Sequence, residues 1–500
     1  MNFSSRKLTI NAVTAVVQVV VTALLYFFLY RYLLINLGIE QLGIWSLILS
    51  FSSIANLANL GLTSGLVKFV AEYITSNDSS KLGKLIFTSL ISMSFLFGLI
   101  SLIIFYFSDF FLGYIIDEKF LNIALGILPF SLASLSINAV GGVFTSVLEG
   151  FQKNYIRNFL YIISGFVMIS VAVILTPQFR LKGVAIAQLS QSVFIFMFSL
   201  IFVLKINPKN RISSWRWSTK SFKELFNYGY KFQVVSICQL LYEPATKLLI
   251  SKFGGLAILG NYEMANKAVS QFRALLTSAN QVVIPIVAEK SKVEDIDFLK
   301  SFYTKMNKVL LILNLPLSTA LLISVPVISL LWIGFLDDDF IFSMTVLIIM
   351  TFINVMCGPA YFSALGEGRL NILVIVHVGM AFINILLGMI LGEFFGGYGV
   401  ILSWGIALTI GSLALILNYN KKINIKIENV FGKQELKLFI ISLIVILLNL
   451  LINRYVSIRN IYLMGAIIVT TMGLFLPVIL RNEIVLQIKS LLITKKTKDV

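Results

Sequence analysis

Five charged residues stand in two consecutive apolar stretches of this chain, and their spacing marks them as the place where chemistry could occur. Over 258–288, Glu263, Asn266, Ser270, Arg273, Thr277 and Asn280 follow at steps of three and four, which puts them on one face of a helix. Lys267 flanks that face four residues after Glu263, an ion-pair spacing. Over 228–252 a similar line runs through Ser236, Gln239, Glu243 and Thr246, with Lys247 beside it and Pro244 expected to kink the helix. So long a polar stripe is costly against lipid, so it is expected to face protein or a water-filled cavity. A guanidinium there could grip two phosphate oxygens at once, and an ammonium adds a point charge. Such a site suits an anionic, highly polar cargo. A carboxylate in the same cavity would repel that cargo unless paired, or could carry a coupling proton or sodium ion. Glu243 with Lys247, and Glu263 with Lys267, are expected to neutralise each other, which leaves Arg273 as the least compensated cation.

Fainter polar lines accompany these. Ser46, Ser53, Asn56 and Thr63 lie along 43–72, and Thr14, Gln18 and Thr22 at four-residue steps along 9–36. They could line the same cavity or hold helices to one another, as polar groups within membranes often do. Arg31 and Lys68 stand near the ends of their stretches, where long cationic side chains can reach the surface. No enzyme constellation accompanies them. The single histidine, His377, sits in an apolar stretch, and there is no HExxH, Walker A or G-x-S-x-G motif. Cys238 and Cys357 read as small core residues, with no disulfide or metal site implied. No cofactor is expected.

The elements that must position these groups are transmembrane helices. The chain is 58% hydrophobic and only 13% charged, with a mean hydropathy of +0.92, whereas a soluble protein is about a quarter charged. About 20 apolar residues cross a bilayer as a helix, and about fourteen such spans are expected: 9–36, 43–72, 84–108, 120–148, 155–176, 183–204, 228–252, 258–288, 305–334, 340–366, 370–392, 397–419, 436–453 and 461–480. The fold class is therefore an all-α polytopic membrane protein. With both termini cytoplasmic, most of the 40 Lys and Arg residues fall in inner loops and tails, as the positive-inside rule requires. The net charge of +17 is thus topological and does not imply nucleic acid. Asp109, Asp117, Glu118 and Asp337 to Asp339 fall in outer loops. The first span is too long for a signal peptide and lacks a small-residue cleavage site, so it is expected to be retained.

The chain also repeats itself. Shifting it by 217 residues matches Gly38 with Gly255, Gly43 with Gly260, Ser53 with Ser270, and Val70-Ala71-Glu72 with Val287-Ala288-Glu289. Glu149-Gly150 then matches Glu367-Gly368 after a one-residue gap, and Gly183-Val184 matches Gly399-Val400. Six spans separate the copies, so they share one orientation, and two six-helix lobes related by a pseudo-twofold axis along the membrane normal are expected. The expected divisions are an N-terminal lobe 1–205, a linker 206–227, a C-terminal lobe 228–420, and an extra helix pair with a basic tail, 421–500. In the linker, Lys209, Arg211, Arg216, Lys220 and Lys223 would face water and lipid phosphates, while Ile212, Trp215, Phe222 and Phe226 have the spacing of an interfacial helix.

Leu42-Gly43-Ile44-Trp45, the segment Gly61 to Val67 leading to Ala71-Glu72, and the loops Leu148-Glu149-Gly150 and Gly366-Glu367-Gly368 resemble the multidrug, oligosaccharidyl-lipid and polysaccharide exporter superfamily. The resemblance covers nearly the whole chain and is strongest to its polysaccharide and O-antigen flippase branch. It implies a bacterial inner-membrane exporter, not an enzyme, that moves a polyprenyl-pyrophosphate-linked oligosaccharide from the inner to the outer leaflet by alternating access through a cationic central cavity. Membrane lipids and other polysaccharide assembly proteins would be its partners. In such proteins the first, second, seventh and eighth spans line the cavity. On this sequence that implies Arg273, Lys267, Lys247, Asn56, Asn266, Asn280 and Arg31 for substrate, with Glu243 and Glu263 for an ion. Lipid II flippases carry arginine and acidic residues in the second span, where Ser46 and Asn56 stand here, although the extra helix pair resembles them. A lipid II flippase and a drug/cation antiporter are the alternatives.

Overall fold

The computed structural model describes residues 5–54, 62–76, 78–206, 215–280, 283, 287, 296–426, 432–455 and 461–480. These are helical almost throughout. In chain order the helices are α1 (Ser5–Leu37), α2 (Ile39–Ile54), α3 (Leu62–Thr75), α4 (Ser79–Ile115), α5 (Glu118–Gly150), α6 (Asn154–Phe179), α7 (Leu181–Ile206), α8 (Thr219–Asn280), α9 (Ile296–Ile323), α10 (Val325–Trp332), α11 (Asp338–Met356), α12 (Gly358–Gly366), α13 (Leu370–Lys422), α14 (Lys433–Tyr455), α15 (Ile461–Met472) and α16 (Leu476–Leu480). Among the described residues, nine helical segments are long and apolar enough to cross a membrane. One of them is α13, whose 53 residues extend about 1.5 Å each, far more than a single crossing needs. The outer faces carry large apolar side chains such as Phe95, Phe110, Phe382 and Leu450, as expected where the solvent is lipid.

Two loops expected between spans are single-residue breaks. Gly255 (φ 76°, ψ 176°) interrupts α8, and Gly396 (φ 60°, ψ −146°) interrupts α13, with helical geometry on both sides. The breaks respect the repeat. Gly38 shares the positive φ of its counterpart Gly255. Arg180 (φ 49°, ψ −132°) adopts nearly the conformation of Gly396, each three residues before the matched pair Gly183 and Gly399. Two other expected spans are split. Pro326 and Pro359 open new helices, α10 and α12, immediately after Ser324 and Cys357, in the first-turn position that proline favours. Pro244, expected to kink α8, instead lies inside it without interrupting its helical geometry. The acidic run read as an outer loop also starts a helix: the Asp337 side chain accepts from the Phe340 N–H at 2.9 Å, and Asp338 and Asp339 favour the helix N-terminus. Asp78 caps α4 in the same way, accepting from the Lys81 N–H at 3.0 Å and pairing with its ammonium at 2.8 Å.

The chain packs as two compact units, Met1–Gln271 with Ala381–Trp404, and Phe272–Met380 with Gly405–Val500. In the first, Leu66, Val70, Leu85, Ile86, Phe144, Val147 and Leu225 form the centre of an apolar core. In the second, Leu315, Ile323, Leu438, Val445 and Phe475 do so. The unit boundaries fall inside α8 and α13. The earlier part of α8 packs closely on α13 within the first unit: Gly388 and Gly392 make room for the Leu249 and Phe253 side chains, and Gly254 meets Gly397 backbone to backbone. The glutamates of the matched Glu-Gly loops both find cations, Glu149 with Arg157 and Glu367 with Lys422.

Candidate functional site

The break at Gly255 turns α8 back on itself, so that residues before it face residues after it. Lys247 therefore meets Glu263 at 2.8 Å, while also lying 3.4 Å from Glu243 one turn earlier. Glu263 receives two further donors: the Ser46 hydroxyl at 2.8 Å from α2 and the Tyr30 hydroxyl at 3.0 Å from α1. Glu263 is 1% exposed and Lys247 5%, so the pair is removed from solvent with three donors on one carboxylate. That number matters, because a buried charge is tolerated only when it is paired and hydrogen-bonded. Glu243 is more than half exposed.

The pairing differs from the expectation that each glutamate would be neutralised by the lysine four residues later. Glu243 follows that pattern, but Glu263 pairs across the Gly255 break with Lys247. Lys267 instead sets its ammonium over the Tyr26 ring, 4.8 Å from the centroid, a cation–π placement. Tyr26 and Tyr30 are one turn apart on α1, with their rings edge to face at 6.3 Å. One tyrosine thus serves Lys267 and the other serves Glu263. Both tyrosines escape a search for charged stripes, because an aromatic residue in an apolar run reads as core.

Ser46 and Glu263 are 217 positions apart, the shift that superposes the two sequence copies. A residue therefore bonds its own counterpart. The surrounding contacts are reciprocal as well. A Cβ at Gly43 would run into the carbonyl of Leu256, and a Cβ at Gly260 into the carbonyl of Ile39; Leu256 is the counterpart of Ile39. The two helix starts thus cross at backbone contact, which only glycine permits here. Trp45 and its counterpart Tyr262 are both buried alongside, and Trp45 lies 5.6 Å from the Tyr30 ring.

The remaining expected residues are distributed as follows. Asn266 and Lys267 are half-buried on α8. Ser270 and Thr277 bond backbone carbonyls one turn back, those of Lys267 and Arg273. Arg273 is exposed and belongs to the second unit, as does His377. Arg31 is exposed on α1. Asn56 lies outside the described residues, as do Lys209, Arg211 and Ile212, together with the side chains of Ser53, Ser236, Gln239 and Asn280. Thr246 ties two helices together: it bonds the Tyr242 carbonyl at 2.7 Å and receives the Asn384 amide of α13 at 2.8 Å. Thr14 has a similar part, accepting from Asn158 of α6 at 3.1 Å. Within the first unit, Thr63 lines a cavity of about 170 Å³ whose other polar walls are Asn138 and Tyr161, two residues that no spacing singled out. Among the described residues, no three of His, Cys, Asp and Glu gather as metal ligands would.

Many apolar spans and a buried charge cluster where two repeated helix starts cross define the class: a multi-pass membrane protein. Residues 11–334 match the family described as polysaccharide biosynthesis protein, and the chain belongs to that family. It is similar to a putative O-antigen transporter of Shigella flexneri, 22% identical over 400 residues, covering 77% of this chain and 91% of that protein. Among solved structures its fold resembles the lipid II flippase MurJ in an inward closed conformation, with a TM-score of 0.70 at 17% identity over 93% of this chain and 97% of that one. It also resembles an inward-facing multidrug resistance MATE family transporter of the MOP superfamily, with a TM-score of 0.66 at 16% identity over 80% and 94% of the two chains.

Proposed function

We propose that this transporter is a flippase that carries a polyprenyl-pyrophosphate-linked oligosaccharide from the inner to the outer leaflet of a bacterial cytoplasmic membrane by alternating access. One observation carries the reading: the carboxylate of Glu263 is fully engaged by Lys247, Ser46 and Tyr30. The buried acid Glu263 is thus paired with Lys247, and the exposed Glu243 is outnumbered by the cations further along the helix. Lys267 on its tyrosine and Arg273 further along α8 are the cations set aside for an anionic cargo. The prenyl tail stays in lipid while the glycan and pyrophosphate cross. A pyrophosphate diester carries two negative charges, so an inside-negative potential favours its export by about 4–5 kcal/mol per 100 mV. Coupling to an ion through Glu243 remains compatible with this scheme and is not required by it.

In the same scheme the Lys247–Glu263–Ser46–Tyr30 cluster is a lock. With the termini cytoplasmic, the Gly38 and Gly255 turns lie on the outer side, and the crossing of α2 with α8 holds that side shut. Opening outward then requires Glu263 to leave Ser46. A lipid II flippase is the second reading, supported by the fold likeness to MurJ and by helices beyond residue 432. A drug/cation antiporter would use a buried acid left free for a cation, and the buried Glu263 is held by Lys247.

The test is a leaflet assay for lipid-linked sugar in cells with and without the protein. Arg273→Ala should abolish outer-leaflet sugar while protein abundance stays unchanged. Normal surface glycan in that variant would reject the role given to Arg273, and unchanged sugar distribution without the protein would reject the flippase.

A further inference from the structure

The segment between α7 and the membrane part of α8 has two unlike sides. One side is locked into the first unit. Trp215 lies 6.4 Å from Phe87, and Ser218 donates its N–H to Thr88 at 3.0 Å. Its hydroxyl in turn accepts the Ser221 N–H at 3.2 Å, starting the helix. Ser221 and Leu225 are buried, and Leu225 reaches the core beside Val70 and Leu82. The one acid of this segment, Glu224, is turned to the same side and accepts from the Tyr73 hydroxyl at 2.9 Å.

The opposite side carries Arg216, Lys220 and Lys223, all exposed. Among them runs an aromatic ladder. Trp217 lies over Phe222 at 5.7 Å, and Phe222 over Phe226 at 6.1 Å, with Trp217 47% and Phe226 39% exposed. Exposed aromatics are costly in water and favourable at a headgroup boundary, where an amphipathic ring has one apolar and one wet side. Three cations with the local acid withdrawn give the surface one sign.

We propose that Arg216, Trp217, Lys220, Lys223 and Phe226 form a docking surface for the phosphates of anionic phospholipids, which fixes the first unit at the membrane surface. The occupant is argued from charge and from geometry. The cations flank a row of rings aligned along the helix, which suits a planar array of phosphates above acyl chains. Rigid attachment through Leu225, Ser221 and Trp215 means that lipid bound here holds the whole unit. The proposal does not depend on which cargo is carried.

The experiment measures thermal unfolding of the purified full-length protein in detergent, titrated with phosphatidylglycerol or with phosphatidylcholine. Phosphatidylglycerol should raise the apparent Tm well above the level given by phosphatidylcholine, and added salt should reduce the difference. Near a surface each Lys or Arg contributes about 1 kcal/mol towards anionic lipid. In the variant carrying Arg216→Gln, Lys220→Gln and Lys223→Gln, the half-maximal phosphatidylglycerol concentration should therefore rise on the order of 100-fold. These side chains point away from the core, so the variant should unfold like the parent without lipid. As a check that needs no stable triple variant, a spin label on Lys220→Cys in liposomes should report headgroup depth. Equal stabilisation by both lipids, an unchanged titration in the variant, or a label in bulk water would each overturn the proposal. A shift of the same size from soluble pyrophosphate would also overturn it, by making the surface a site for free or cargo phosphate.

Discussion

Replacing Lys247 by alanine removes the cation from a pair in which both partners are buried, 2.8 Å apart. Ser46 and Tyr30 still donate to Glu263, but neither supplies a positive charge. Removing one partner of a buried pair costs about 3–5 kcal/mol, because the remaining charge is left uncompensated. Glu263→Gln should cost a similar amount by leaving Lys247 with only the more distant and exposed Glu243. The two losses have one cause, so they should not add. In a double-mutant cycle the Lys247→Ala, Glu263→Gln protein should lie within about 1–2 kcal/mol of either single variant, and the coupling should reach about 2–3 kcal/mol. Chemical unfolding of purified protein in detergent, followed by tryptophan fluorescence, reads all four corners of the cycle. If Lys247→Ala falls within about 0.5 kcal/mol of the parent, as changes at ordinary surface positions do, the pair is not buried as described. If the double variant shows the full sum, the residues act independently and the lock has no physical basis.

Gly43→Ala should destabilise the protein by about 1–3 kcal/mol or prevent folding, because its methyl would meet the Leu256 carbonyl. Gly98→Ala, with open space around the new methyl, should be neutral or slightly stabilising in the same unfolding assay. Arg180→Gly should stabilise by about 1 kcal/mol, since Arg180 holds a left-handed conformation that its counterpart Gly396 adopts freely; a loss of stability would show that the Arg180 side chain matters more than its backbone. The Lys81 side chain and N–H beside Asp78 hold its carboxyl below the usual range. A depressed folded value means that this cap stabilises above the unfolded carboxylate pKa of about 3.9 and fades as pH falls through the folded value. The stability difference between the parent and Asp78→Ala should therefore be constant near neutrality and shrink below about pH 4. A difference that grows on acidification would reverse the sign argued here.

The parts of the fold that follow from local sequence were readable. Apolar length gave the all-helical membrane class, and the repeat marked Gly38 and Gly255 as loop glycines, whereas the break at Gly396 has no glycine counterpart, because Arg180 holds that place in the first copy. Proline placement was readable in principle, yet Pro326 and Pro359 were absorbed into long apolar runs, and the splits before them were missed. The site was readable in its residue types and less so in its partners. Ser46 and Glu263 each lay on an expected polar face, and Lys247 beside one. Their meeting depends on the reversal at Gly255, which spacing along one helix cannot express. Lys267 shows the same limit: its sequence neighbour at i−4 was the evident partner, but an aromatic ring from a distant helix took that place. Asn384, which secures Thr246, stands alone in an apolar stretch and carries no pattern at all.

An exact duplicate of the first half would place the same side chain twice where Ser46 and Glu263 now touch. Serine at both positions, with the rest of the junction unchanged, would leave Lys247 only the exposed Glu243, and glutamate at both would set carboxylates against each other with one ammonium to share. The mismatch between the two copies at this column thus supplies one acid and one neutral donor where they touch, and Ser46→Glu, which would restore the match, would set a second carboxylate against Glu263.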